Sequence, residues 1–198
     1  MLYSIWFGTK LINFKVNLYF MSIELYEKAA NKFKPDKIKI LFIAESPPFK
    51  KEGEEPRYFY FENVKGKDFL FRSIMEVLFP EAYEHFKIDG NKILLLNKFK
   101  ESGFFLIDAC DYPINQHNDR DSFINNDFPK LTQKIKTLID EDTKIILIKK
   151  NIFELLFDRL KSRGFNVIND EHLDFPSCGN QLKFKEKLKR LLTCQTKL

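Results

Sequence analysis

Cysteine is nearly absent from this chain of 198 residues: Cys110, Cys178 and Cys194 are its 3 thiols. An odd, scattered set makes no disulfide framework, and no pair has metal-ligand spacing. Four thiolates for an iron–sulfur cluster are not available. A reducing cytoplasmic setting is the natural expectation. Glycine is scarce, at 7 residues against 22 phenylalanines, which excludes a loop-rich or low-complexity chain. Neither a GxxxxGK[ST] loop nor a GxGxxG turn is present, which weighs against P-loop NTPases and dinucleotide-binding enzymes. No long apolar run offers a membrane span. The most apolar stretch, residues 1–20, is broken by Lys10 and Lys15, and no small-residue cleavage site follows it.

What is present suits one domain with a sizeable core, since 44% of the residues are hydrophobic. Ser22 is a suitable N-cap for the amphipathic segment opened by Met21, so the domain is expected over 21–198. Residues 1–20 then read as an N-terminal extension: a start upstream of the true one, or an added edge strand. Beyond Pro35, apolar runs alternate with helical patterns. IKILFIAE, FFLIDAC, TKIILIKK and FNVI read as buried strands. KDFLFRSIMEVLF (stopped by Pro80), NKILLLNKFKES (closed by Gly103), PKLTQKIKTLI, NIFELLFDRLKSRG (capped by Asn151) and QLKFKEKLKRLL read as helices. Such alternation predicts an α/β fold: three layers, α/β/α, around a four-stranded, mostly parallel sheet.

Ligands of open parallel sheets bind beyond the carboxyl ends of the strands, which directs attention to three segments. In the first, Glu45 ends an apolar strand and Ser46-Pro47-Pro48 stiffens the turn. Glu45 there can activate water or stabilise a cation; Glu45 or Ser46 can equally cap loop amides. The nearby run Tyr58-Phe59-Tyr60-Phe61 offers a ring for stacking a base, or a strand with one face in the core. In the second, Asp108 and Asp111 follow a strand, with Asn115 in the same loop. Asp108 is a base reader or a turn cap. In the third, Ser177, Gly179 and Asn180 precede a basic helix, as a phosphate site or as an ordinary cap.

The net charge of +5 resides in the segment from Asn180 to the end, most of it in that last helix. From Asn180 onward, Lys183, Lys185, Lys187, Lys189, Arg190 and Lys197 face the single anion Glu186. The pattern suits a phosphate-tracking surface and also a solvated helix face.

Taken together, the three segments resemble the uracil-DNA glycosylase superfamily, over roughly residues 37–192. AESPP occupies the position of that family's GQDPY- or GEAPG-like motif, with Glu45 on the acidic position of the latter. Phe59 falls at the distance of the stacking aromatic, with Tyr58 the neighbouring choice. LIDAC is similar to the LTNAV-type strand end and puts Asp108 where Asn is usual. FPSCGNQ is similar to the HPS-like loop, with Ser177 on its Ser and Phe175 in place of its His.

The resemblance implies a DNA-binding protein that flips a damaged or deaminated base from the stack and hydrolyses its N-glycosidic bond. Glu45 would be the catalytic carboxylate. Phe59, Asp108 and Asn115 would hold the base. Ser46, Pro47, Ser177, Gly179, Asn180, Lys183 and Lys185 would hold DNA. No cofactor, metal or membrane is implied, and a monomer is expected. Ionised Asp108 offers only acceptors, so it is expected to be protonated in its pocket or to face a base edge other than that of uracil, such as hypoxanthine's. The alternatives are a catalytically silent nucleic-acid-binding member of the same fold, or an α/β enzyme acting on a nucleotide or other phosphate ester.

Overall fold

The computed structural model describes residues 23–49, 57–63, 68–177 and 179–194. The extension 1–20 and Cys178 lie outside the described residues. A first helix, α1, covers residues 23–32. The remaining elements are β1 (Ile40–Ala44), α2 (Phe69–Leu78), α3 (Pro80–Asp89), α4 (Lys92–Glu101), β2 (Phe104–Asp108), α5 (Arg120–Leu138), β3 (Lys144–Leu147), α6 (Lys150–Lys161) and α7 (Gln181–Cys194).

The three strands form a parallel sheet in the order β2-β1-β3. Each is apolar through its middle, and only its first residue is partly exposed, as expected of strands covered on both faces. The helices pack in two groups, α2 with α3 and α7 and α3 with α4, and separately α5 with α6. The chain leaves β1 for β2 on one side, then crosses to β3 on the other. The carboxyl ends of β1 and β3 thus flank the point where strand order reverses, where an open parallel sheet leaves a crevice.

Each outer edge of the sheet is closed by a side chain. Beside β2, the Tyr60 hydroxyl accepts from the Leu106 amide at 2.7 Å and donates to the Leu106 carbonyl at 3.0 Å. Beside β3, the Asn169 amide accepts from Leu147 N–H at 3.0 Å and donates to Leu147 C=O at 3.2 Å. Asn169 explains why the fourth strand expected at Phe165–Ile168 is not regular. That segment makes only isolated parallel bridges, Ile145 with Val167 and Ile148 with Leu173, and between them a side chain does the work of the ladder. The described sheet has three strands, not four.

Other boundaries also differ. Pro80 ends α2 and also opens α3, where its missing N–H and fixed φ fit the first helical position. Helix α5 begins at Arg120, nine residues ahead of the expected start at Pro129, with Asp119 capping Ser122 N–H. Asn151 is not the cap of α6. Lys149 stands there, and the Asn151 side chain is engaged elsewhere. Gly103 does close α4: its φ is +82°, and a Cβ there would sit 2.8 Å from the Lys39 side chain. Among the described residues, no helix is long and apolar enough to cross a membrane.

Candidate active site

The carboxyl ends of β1, β2 and β3 open into a cavity of about 340 Å³, within the range of small-molecule sites. Its floor begins with the turn after β1. Cys110 N–H donates to Glu45 C=O, Ile114 N–H to Ser46 Oγ at 3.4 Å, and Phe49 N–H to Asn115 Oδ1 at 3.1 Å. The Tyr26 hydroxyl donates to Pro48 C=O at 2.6 Å. The two proline-stiffened residues are thereby stitched to the loop after β2, and the Glu45 carboxylate faces inward.

That carboxylate is surrounded by donors. Lys149 Nζ lies 2.6 Å from Oε1, Asn151 Nδ2 donates to Oε1 at 2.7 Å, and Arg120 Nη1 lies 3.5 Å from Oε2. Its side chain is only 10% exposed. Asp108 ends the neighbouring strand and is also buried. Burial, with the nearby Asp111 and Glu45 charges, pushes its carboxyl up to about 7 against the pull of Lys134. Asp111, by contrast, is held below the usual range despite burial, because Lys134 and Lys130 both reach it. Glu45 and Asp108 are thus two carboxyl groups on adjacent strand ends, one wrapped in cations and one desolvated. Desolvation makes Asp108 the carboxyl group of this pair that holds its proton toward neutral pH.

The aromatic wall is Tyr58 and Phe59. Phe59 is 4% exposed, and its ring packs edge-on to Tyr60 and Phe71 and tilted against Phe99. The run 58–60 is not a strand but a turn, and Lys92 Nζ donates to Tyr58 C=O at 3.2 Å. Beneath it, Lys92 and Asp68 form a buried ion pair of 2.7 Å, with the ammonium 4.3 Å from the centre of the Phe71 ring. Burial presses both toward neutrality, raising Asp68 and lowering Lys92, and each holds the other's charge.

The cavity lining therefore brings together Glu45, Ser46, Pro47, Phe59, Asp108 and Asn115, with Phe175 at the rim and 39% exposed. It does not include Ser177, Gly179, Asn180, Lys183 or Lys185. Ser177 and Asn180 form a backbone turn leading into α7, with Gly179 at φ +90°. Four cations of α7 are engaged within the protein. Lys183 pairs with Asp174 at 3.1 Å, Lys185 with Glu76 of α2 at 2.7 Å, and Lys187 with Glu171 at 3.0 Å. Arg190 also reaches Glu171.

Sequence reasoning missed Arg57, Asp68, Arg120 and Lys149 in the lining, and Asn151 beside Glu45. Lys149 had a usable signal, because it follows β3 and the strand-end rule applies there as well. Arg120 and Asp68 carry no local signal; each stands at the start of a helix that only the fold swings to the cavity. A search of protein-family models, of curated proteins and of solved structures returns no match to this chain.

Proposed function

We propose that this protein is a uracil-DNA glycosylase-like hydrolase that takes a flipped, damaged or deaminated base into the cavity and cleaves its N-glycosidic bond. The reading is carried by one observation: a desolvated Asp108 and a cation-wrapped Glu45 on adjacent strand ends of a single cavity walled by Phe59. Cleavage makes an oxocarbenium-like sugar and an anionic base, and water completes the sugar. Glu45 suits the sugar side, balancing the cation and accepting the proton of the attacking water. Protonated Asp108 offers one O–H donor and one C=O acceptor, the pair that a lactam base edge requires. Phe59 or Tyr58 supplies a ring against the base, and Arg57 and Arg120 supply charge for the flanking phosphates.

A phosphate-ester hydrolase is the second reading, favoured by the three cations Arg57, Arg120 and Lys149 around the same cavity. Single-turnover assays on duplex and single-stranded oligonucleotides carrying uracil, hypoxanthine or other altered bases separate the two. Base release, lost by about 10²-fold or more in Glu45→Gln, supports the glycosylase. Tight DNA binding without release indicates a silent member of the fold. Absence of both, with phosphate released from nucleotides, overturns the proposal.

A further inference from the structure

Lys149 is held in a backbone conformation that side chains rarely adopt. Its φ is 86° and its ψ is 143°. Among the described residues, the other positive φ values all belong to glycines, Gly90, Gly103, Gly164 and Gly179. Two backbone hydrogen bonds maintain the conformation: Lys149 N–H donates to Leu173 C=O at 2.9 Å, and Phe153 N–H donates to Lys149 C=O at 3.1 Å. Glycine would occupy this position without strain. Strained side-chain-bearing residues persist where the surrounding structure over-determines them and cluster at working sites. The side chain of Lys149 is directed to one partner, with its ammonium 2.6 Å from Glu45 Oε1 and its stem on the cavity wall.

We propose that Lys149 is a positioning residue, retained in a strained conformation because its ammonium orients the Glu45 carboxylate in the cavity. The proposal deepens the glycosylase reading and rests on it only for the role of Glu45 in base release.

Charge balance gives the reason. Asp108 faces Lys134 of α5, the Asp111 carboxylate, the Tyr26 and Tyr58 rings, and Glu45 itself. Glu45 faces Lys149 after β3, Arg120 of α5 and Asn151 of α6. Of the two cations on Glu45, Lys149 is the nearer and the less exposed: 2.6 Å and 24% against 3.5 Å and 41% for Arg120. Without it, Glu45 keeps only the longer Arg120 contact and the Asn151 amide, and its carboxylate is no longer held in one orientation toward the cavity.

The test compares Lys149→Gly, Lys149→Met and Lys149→Arg with the native protein, by thermal melting, by NMR of labelled carboxyl carbons, and by the kinetics of base release. In the Gly and Met variants, the Glu45 carboxyl carbon loses its native chemical shift, and Lys149→Arg partly restores it. The rate of base release falls by about 10²-fold, again with partial rescue in Lys149→Arg. Lys149→Gly melts above Lys149→Met, by roughly 2–4 °C, because only glycine relieves the strain. A Glu45 carboxyl signal unchanged in both Gly and Met variants overturns the proposal, and so does Lys149→Gly melting no higher than Lys149→Met. Neither readout requires base release, so a protein that releases no base leaves the proposal testable and condemns only the glycosylase reading.

Discussion

Two lysine–carboxylate pairs border one cavity, and they are built to opposite specifications. Lys92 and Asp68 are sealed, with side chains 2% and 8% exposed. Both stand on relaxed helix starts, where Asp68 caps α2 and Lys92 opens α4. Lys92 also holds Tyr58 C=O and lies over Phe71, so the pair joins two helices to the aromatic wall. Lys149 and Glu45 line the cavity, with side chains 24% and 10% exposed, on a strained residue and a strand-end turn. The first pair has spent its hydrogen bonds on the fold. The second keeps a face on the cavity at the cost of strain. The difference teaches that an ion pair at a site is read from its backbone and its access to the cavity, not from its distance, which is 2.7 Å in one and 2.6 Å in the other.

The sharpest way to break the comparison is to remove one lysine at a time. Lys92→Met strands a buried carboxylate and is expected to lower the unfolding free energy by about 3–5 kcal/mol in chemical denaturation. Lys149→Met is expected to cost about 1 kcal/mol or less, because Arg120 and Asn151 still hold its partner. Equal losses would mean that both pairs are structural.

Asp108→Asn tests the desolvated carboxyl group. The folded protein holds this proton up to about pH 7, against an ordinary value of 3.8. The folded state therefore binds more protons than the unfolded chain between those values, and stability falls as pH rises through that window. Asn carries no such penalty. The variant is expected to gain on the order of 4 kcal/mol relative to native at pH 8, as an upper bound, and to gain little at pH 4. Urea melts across that range check this, and a difference that does not vary with pH would show that Asp108 ionises freely. For native protein, release of hypoxanthine is expected to fall as pH rises through about 7, while Asp108→Asn releases uracil without that fall.

Glu45→Gln separates the pairs by activity. It keeps the bonds of a neutral amide and is expected to reduce base release by about 10²-fold, equivalent to roughly 2.7 kcal/mol of barrier, with DNA binding retained. Asp68→Asn, on the sealed pair, is expected to act on melting and leave the pH profile of release in place. The reverse assignment would invert the comparison.

The smallest effects belong to α7. Lys183, Lys185 and Lys187 already pair with Asp174, Glu76 and Glu171, so DNA must compete with these partners. Changing all three to Gln is expected to flatten the salt dependence of DNA binding by less than one unit per lysine. Lys185→Gln alone is expected to cost about 0.5 kcal/mol of stability, since both partners are partly solvated. A flattening of a full unit per lysine would show that the helix gives up its internal pairs to phosphates.

The sequence by itself determined the parallel α/β order, because Leu41–Ala44, Phe105–Ile107 and Ile145–Leu147 are unbroken apolar runs that only a doubly covered strand accommodates. It also determined the position of Glu45 and Asp108, since a polar residue that ends such a run emerges where the strands stop. Pro129 did not mark the start of α5, because Asp119 upstream supplies the cap and the helix passes through the proline. The fourth strand was decided by tertiary structure, where Asn169 occupies the ladder positions of Leu147 with a side chain that has no strand pattern. The same holds for Tyr60 on Leu106, across 46 residues, and for Lys92 on Asp68, across 24. Lys149, Arg120 and Asn151 meet Glu45 only because β3, α5 and α6 converge on the end of β1. Apolar periodicity is local and survives in a string of residues. The charge around a buried carboxylate is a sum over distant segments, and only the folded chain performs it.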